Sequence, residues 1–234
     1  QYLVVRAQSS APVYGNPSAM SAVYYRYAGG RVQAGGGGML GFRQIQSFDT
    51  TAAPNRHIAT TTTYRQDAPY TGLPLETVRR VVTSAYYPPT CATGTVTTSC
   101  FQPSGTPFPF INGNVVALST SVWETSPHFS PGIQTPMHIR LAGSDERAHA
   151  LSNGAMVSRV LSSFTYDGYG FATNTSADTY NSSNSLVARV VTGNTYTHVA
   201  SPWRLGRLMA STVTHTRGTS STSRNTSYTY DLSG

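Results

Sequence analysis

The sequence predicts an all-β protein, and composition and periodicity support that prediction. Of its 234 residues, 38% are hydrophobic and only 11% are charged, whereas an ordinary domain has about 25% charged residues. The polar surface must come instead from 32 Thr, 28 Ser and 10 Asn. Apolar and polar residues alternate with a period of two between clusters of Gly, Pro and Ser, which is typical of strands joined by turns. The shortage of Glu, Leu and Lys argues against a helical enzyme.

The N-terminal third is expected to consist of strands. Residues 2–7 and 22–28 are rich in aromatic and β-branched residues, which favours strands. We expect Gly29-Gly30 to turn the chain and 35–38 to form a second connection. A strand at 39–48 would place Phe42 and Phe48 on one face, and strands at 57–66 and 76–87 follow.

The middle of the chain contains a loop excursion between Tyr87 and Asn114. Five prolines and the two cysteines, Cys91 and Cys100, fall in this stretch. A metal site would need further ligands, and no His lies between residues 58 and 127. We therefore predict a local disulfide between Cys91 and Cys100, worth roughly 2–3 kcal/mol by loop entropy and typical of an oxidising destination.

The C-terminal half is expected to be mainly strand again. Residues 144–161 are the only helix candidate, with Ser144 as a cap, but Gly154 weakens the helix, and a strand at 155–166 fits about as well. The remaining predicted strands are residues 115–123, 164–174, 186–191, 195–199, 205–216 and 224–230.

Three tyrosine-rich phrases end in glycine turns. In such a phrase, Asp at the end of a strand accepts hydrogen bonds from the turn backbone and Gly supplies a positive φ. The preceding aromatic residues pack across to the next strand. A hairpin of this kind cannot bury its own apolar face, so neighbouring hairpins must lie beside it. The residues concerned are Tyr27, Gly29 and Gly30; Tyr166, Asp167 and Gly170; and Tyr230, Asp231 and Gly234.

These phrases resemble the YD repeats of the Rhs and toxin-complex families. The order Tyr-Tyr-Arg-Tyr at 24–27, Gly-Gly-Arg at 29–31 and Leu-Gly-Phe at 40–42 is similar to a stretch of insecticidal toxin-complex B subunits and SpvB-like proteins. Trp-Arg-Leu-Gly-Arg-Leu at 203–208 resembles the segment that leads into the first regular YD repeats. The resemblance covers most of residues 20–85 and 160–234.

The resemblance implies antiparallel sheets that form part of a curved or spiral shell wall. In those families the shell encloses a C-terminal toxic polypeptide. We accordingly expect a noncatalytic fragment of a longer bacterial protein, secreted or on the cell surface. Its expected segments are a toxin-complex-B-like segment at 1–86, the excursion and a strand at 87–136, and a segment leading into YD repeats at 137–234. Its partners would be the rest of the shell, or further copies of itself, and the enclosed toxin. The family's downstream self-cleaving Asp-Pro motif is absent from this sequence, so no catalytic residue is carried over.

Other classes of function have weaker support. The net charge is +7, but the arginines are scattered, so we expect no nucleic-acid partner. The sequence contains no apolar run of 18 residues, so we expect no membrane span. The sequence has no nucleophile elbow and no zinc helix, and we expect no cofactor and no metal. The acidic–imidazole group Asp145, Glu146 and His149 fits a surface pairing better than catalysis.

Two rival interpretations stay open. The chain could be a surface-binding or self-assembling module, such as an adhesin, a carbohydrate binder or a filament subunit, because exposed sheet edges accept strands from neighbours. It could also be a hydrolase with an unorthodox site, for which Asp145, Glu146 and His149 are the candidate cluster. Asp167 and Asp231 could be paired carboxylates of a sugar-cleaving site, although capping of their turns is the simpler role. Trp123 and Trp203 could stack on sugar rings, although packing between strands is the simpler role for them.

Overall fold

A computed structural model describes residues 3–34, 38–53, 56–83, 101–102, 108, 113–126, 138–199 and 204–231. The chain divides into two compact units. Unit 1 contains residues 1–120 and 149–155, and unit 2 contains residues 121–148 and 156–234. The predicted boundaries near residues 86 and 136 stay predictions.

Every regular element in the described residues is a β-strand, which confirms the predicted all-β class. The strands are β1 Arg6–Ser10, β2 Met20–Val32, β3 Met39–Ala53, β4 Arg56–Tyr64, β5 Pro74–Thr83, β6 Phe101–Gln102, β7 Asn114–Thr125, β8 Ile139–His149, β9 Met156–Tyr166, β10 Ala172–Asn181, β11 Leu186–Val199, β12 Arg204–Arg217 and β13 Ser220–Ser227. The described part of the chain accordingly contains no helix long and apolar enough to cross a membrane.

Unit 1 is a meander with a small core on one face. The strands are hydrogen bonded in the order β1-β2-β3-β4-β5-β7, all antiparallel where the register is defined, and β6 pairs in parallel with β2. Phe48, Ala59 and Val82 are buried together, and Tyr24 packs against them. These positions follow the period-two alternation of their strands, so that one face is covered.

The same face of unit 1 carries buried polar groups. Arg26, Gln44 and Gln46 are all buried. The Gln44 Oε1 accepts a hydrogen bond from the Phe108 N–H at 2.9 Å. The Arg26 guanidinium lies 4.0 Å from the centroid of the buried Phe108 ring. Phe108, which belongs to the Pro-rich excursion, therefore covers the polar part of this face.

Unit 2 is a second antiparallel meander, in the order β7-β8-β9-β10-β11-β12-β13. Its registers are antiparallel from β9 to β13. Among the described residues of unit 2 only Ser126 and Asp178 are buried, and no apolar side chain is. Its strands are held by their ladders and by contacts between half-buried side chains.

The structure corrects the predicted turn at Gly29-Gly30. Both glycines lie inside β2, which continues to Val32. Gly29 has a φ of 65°, and its carbonyl accepts a hydrogen bond from the Gln66 side chain at 2.6 Å. A glycine with a positive φ is thus accommodated inside β2. The chain reverses instead between Gln33 and Gly38, where the Gln33 N–H donates to the Gly38 carbonyl at 2.9 Å.

The helix candidate at 144–161 is wrong, and the strand alternative is closer to the structure. Residues 139–149 and 156–166 form β8 and β9. Between them the Ala150 N–H donates to the Ala155 carbonyl at 2.8 Å, and the Gly154 N–H donates to the Ala150 carbonyl at 2.9 Å. Gly154 has a φ of 71°, which favours glycine and ends any helix at this point.

Some predicted strands are also divided differently in the structure. The single strand predicted at 164–174 is interrupted by a turn at 167–171, and the two strands predicted at 186–191 and 195–199 are one strand, β11. Gly193 does not break β11, because its φ is not in the left-handed region.

Candidate functional site

The Tyr166-Asp167 phrase forms a tight turn between β9 and β10. The Asp167 Oδ1 accepts hydrogen bonds from the backbone N–H groups of Tyr169 at 2.9 Å and Phe171 at 3.0 Å. The Asp167 N–H donates to the Phe171 carbonyl at 3.0 Å, and Gly170 has a φ of 90°. The carboxylate therefore fixes the backbone of the turn.

His198, at the end of β11, ties this turn to the start of β12. Its Nε2 lies 2.8 Å from the Asp167 Oδ2. The Gly206 N–H donates to the His198 Nδ1 at 3.1 Å. Because a backbone N–H can only donate, a neutral His198 carries its proton on Nε2 and donates it to Asp167.

The charge state of Asp167 is set by these contacts. Burial raises the pKa of Asp167, but the hydrogen bonds from Phe171, His198 and Tyr169 outweigh burial and hold the pKa below its ordinary value. The carboxylate is therefore ionised at neutral pH, and three donors use it as their acceptor.

Aromatic rings surround the Asp167–His198 pair. Tyr169 stacks on His198, with ring centroids 4.3 Å apart and an interplanar angle of 28°. Phe171 lies 5.3 Å from Tyr196 and 5.4 Å from His198 between centroids. Gly206 has a φ of 74°, and a Cβ at this position would overlap the Phe171 ring. Only glycine lets the ring approach the β12 backbone so closely.

A cavity of about 540 Å³ opens beside these rings. We call it the aromatic pocket, and its lining residues are His138, Gly168, Tyr169, Phe171, Arg204 and Leu205. The Arg204 guanidinium has no hydrogen-bond or ion-pair partner among the described residues. The aromatic pocket thus combines apolar walls with a donor-rich, cationic side.

The tyrosines of two predicted phrases make the same contact with the neighbouring strand. The Tyr166 hydroxyl donates to the Leu141 carbonyl at 2.7 Å, and the Arg140 guanidinium lies 4.6 Å from the Tyr166 ring centroid. At the C-terminal end, the Tyr230 hydroxyl donates to the Leu208 carbonyl at 2.9 Å, and Arg207 lies 5.2 Å from the Tyr230 ring.

Each of these contacts pairs an Arg-Leu dipeptide with a later Tyr-Asp dipeptide. Sequence reasoning noted the Tyr-Asp dipeptides at 166–167 and 230–231 and missed their Arg-Leu partners at 140–141 and 207–208. The signal was present, since both Arg-Leu dipeptides precede a Tyr-Asp dipeptide by one hairpin. Tyr27 makes part of the same contact, because its hydroxyl donates to the Val4 carbonyl at 2.7 Å.

The remaining predicted residues are placed as follows. Asp231 is the last described residue, so Gly234 lies outside the described part of the chain, as do Cys91, Cys100 and Trp203. The disulfide stays a prediction. Trp123 is half-buried in β7.

The acidic–imidazole group does not come together as a site. The Asp145 carboxylate accepts from Arg147 at 2.7 Å and from Arg159 at 2.9 Å. Hydrogen bonds from Arg147 and Arg159 outweigh burial and lower the pKa of Asp145 to about 2. The His149 Nδ1 lies 2.9 Å from the Gly154 carbonyl, and Glu146 points to the opposite face of β8. Within the described ranges no group of three or more His, Cys, Asp and Glu side chains could hold a metal ion.

Comparison with known proteins gives a likeness of fold. No protein-family model and no curated protein match the sequence. A chain of the crystal structure of TcdB2-TccC3-Cdc42 is similar in structure, with a TM-score of 0.57 and 8% sequence identity. The match covers 84% of this chain and 12% of that one. The described residues therefore share an antiparallel all-β fold with a small part of that chain.

Proposed function

We propose that this chain is a noncatalytic wall segment of a secreted, bacterial toxin-complex-like shell that encloses a toxic polypeptide. In this proposal the backbone ladders seal the wall, and the enclosed polypeptide lies against one face of the sheet. The fold likeness to TcdB2-TccC3-Cdc42 supports the comparison with a shell.

The observation that carries the proposal is that the described residues of unit 2 form no apolar core. No apolar side chain of its described residues is buried, although five full strands, β9 to β13, are paired there. A sheet without a packed second layer is marginally stable in water by itself. It is stabilised when further strands extend it and neighbouring surfaces cover it, as in a shell.

Among the described residues β13 pairs on one side only, with β12, and its other edge suits such an extension. The Tyr228 N–H donates to the Met209 carbonyl, and Thr226, Arg224 and Thr222 alternate with it in the register of β12 and β13. Because hydrogen-bonded pairs in an antiparallel ladder recur at every second residue, the N–H groups of Ser223 and Asn225 point away from β12. They are donors for one more strand.

A proline substitution at this edge tests the proposal in the full-length protein that contains this chain. Asn225→Pro removes an outward N–H and leaves the β12 ladder intact, whereas Asn225→Ala keeps the N–H and serves as the matched control. We expect electron cryomicroscopy to show a closed, hollow shell for the natural protein and for Asn225→Ala, and an opened wall for Asn225→Pro. Protease digestion should cut the enclosed polypeptide only in Asn225→Pro. A solid domain without an interior would overturn the proposal.

The second candidate is a self-assembling or surface-binding module, and the same β13 edge favours it. A module of this kind would add a strand of a second copy at β13. Size-exclusion chromatography of the isolated chain over a hundredfold dilution separates the two: a self-assembling module shifts to a smaller size on dilution, and Asn225→Pro abolishes the shift.

A further inference from the structure

We propose that the aromatic pocket of unit 2 binds a peptide segment in which a carboxylate lies next to an aromatic side chain. The first reason is charge. Arg204 lines the pocket and has no partner among the described residues. Asp167, the carboxylate beside the pocket, is already the acceptor for two backbone N–H groups and for His198. Within the described residues the pocket therefore offers a cation without a partner and a carboxylate already used by three donors, which favours an anionic ligand.

The second reason is the prepared aromatic wall. Tyr169 is 46% exposed, and its other face stacks on His198. His198 is held in turn by Asp167 and by the Gly206 N–H. Phe171, also in the wall, is seated on the backbone of Gly206. A ring bound against Tyr169 and Phe171 would find both side chains already fixed, so that little conformational entropy is lost on binding.

The size and chemistry of the pocket favour a peptide over a carbohydrate. A cavity of about 540 Å³ falls within the ordinary range for ligand pockets, and it has room for an aromatic side chain and a neighbouring acidic one. Sugar hydroxyls need acceptors as well as donors, and three donors already use the nearby Asp167 carboxylate. The identification of the peptide with the enclosed polypeptide rests on the proposed shell, but the pocket itself can be tested without it.

The test measures binding of a fluorescein-labelled peptide to the full chain. The probe is Gly-Asp-Phe-Asp-Gly, and its amide counterpart, Gly-Asn-Phe-Asn-Gly, has the same shape without the charges. We expect the acidic probe to bind more tightly than the amide probe, and Arg204→Gln to weaken its binding roughly tenfold or more, since a charge-assisted hydrogen bond is lost. Arg207→Gln is the matched control, because it removes the same charge from β12 at a side chain that lies over Tyr230, outside the pocket lining.

Each outcome decides the proposal. Arg204→Lys, which keeps the charge and loses the planar fork, should bind with intermediate affinity and guards against misfolding of the glutamine variant. Equal binding of the two peptides, equal loss in the two glutamine variants, no binding of the acidic probe, or competition by the neutral oligosaccharide maltoheptaose would each overturn it. If the peptide test fails and the shell still forms normally with Arg204→Gln, the pocket proposal is wrong and the shell proposal stands. The two failures are therefore distinguishable.

Discussion

Unit 1 buries apolar side chains on one face of its sheet, whereas the described strands of unit 2 bury none, and β13 is exposed along its whole length. In unit 1 the core of Phe48, Ala59 and Val82 is almost fully buried. In unit 2 the most buried side chain of the strands belongs to Asp178, whose carboxylate accepts from Arg189 at 2.6 Å. Apart from the short parallel strand β6, the two units have the same antiparallel pairing, so the difference lies in what covers the sheet.

This contrast separates two ways of stabilising a sheet. Burial of apolar surface contributes about 25 cal/mol per Å², and unit 1 uses it. Unit 2 depends on backbone ladders, on the turn held by Asp167, and on arginine contacts such as Arg159 with Asp145. Contacts of the second kind define which strands pair, but each adds little stability. We therefore expect substitutions that empty a core to harm unit 1 most, and those that move the backbone to harm unit 2.

The largest expected effect is that of Phe48→Ala. Phe48 is 1% exposed, so removal of its ring should lower the free energy of unfolding of unit 1 by about 3–5 kcal/mol. Leu161→Ala in unit 2 is the comparison, because Leu161 is 37% exposed and should cost about 1 kcal/mol or less. Hydrogen exchange measured by mass spectrometry in increasing urea reports the two units separately. Similar losses for the two variants would refute the contrast.

Next in size is Gly206→Ala in unit 2. Its φ of 74° and the overlap of a new Cβ with Phe171 should together lower the stability of unit 2 by about 2–4 kcal/mol. Gly193→Ala is the control, since nothing lies within 4 Å of a Cβ at this position; its effect should stay within about 1 kcal/mol. The same hydrogen-exchange measurement applies. A Gly206→Ala variant that matches Gly193→Ala would show that the Phe171 ring can move away freely.

The all-β class could be predicted from sequence because period-two alternation and the Thr and Ser content are local signals. The turn at Asp167 could be predicted as well, since Asp and Gly act on their own backbone. The Gly29-Gly30 pair misled the prediction, because glycine permits a left-handed residue both in turns and within a strand. In the structure β2 continues past these glycines because Ala28 and Gly30 pair with Gln44 and Phe42 of β3, a contact that the local sequence does not reveal.

The candidate site was less accessible to sequence reasoning. Asp167 was identified from its turn phrase, but His198 and Arg204 were not, because they approach the turn through the pairing of β10, β11 and β12. Register across three strands depends on long-range contacts that a single sequence does not encode locally. The burial of Gln44 also depends on Phe108, 64 positions later in the chain.

A smaller effect is expected from acid. The pKa of Asp145 is lowered from 3.8 to about 2, first by the hydrogen bond from Arg147 and then by Arg159. A lowered folded-state pKa stabilises the fold above the unfolded pKa, and this contribution is lost as the pH falls from about 4 to about 2. Asp145→Asn should therefore cost unit 2 about 1 kcal/mol at pH 6, after allowance for solvent screening, and less near pH 2.

Thermal unfolding at several pH values checks the Asp145 prediction. The control is Glu146→Gln, because Glu146 is exposed and has no ion-pair partner in the described part of the chain. The stability difference between Asp145→Asn and the natural protein should narrow on acidification, and that for Glu146→Gln should stay near zero. A difference for Asp145→Asn that is the same at pH 6 and pH 2 would contradict the ionic origin of the effect.

The smallest expected effect concerns the hydroxyl pairs between strands. The Ser163 and Ser176 hydroxyls face each other across β9 and β10 with their Oγ atoms 2.9 Å apart, and Thr214 and Ser223 do the same across β12 and β13 at 2.8 Å. Both pairs are exposed, so water competes for each hydrogen bond, and the coupling energy of a double-mutant cycle with Ser163→Ala and Ser176→Ala should be below about 0.5 kcal/mol. A coupling above about 1 kcal/mol would mean that these hydroxyls stabilise unit 2 substantially without a core. The reason to expect extension or covering of this sheet would then weaken, because the sheet would be stabilised by its own surface.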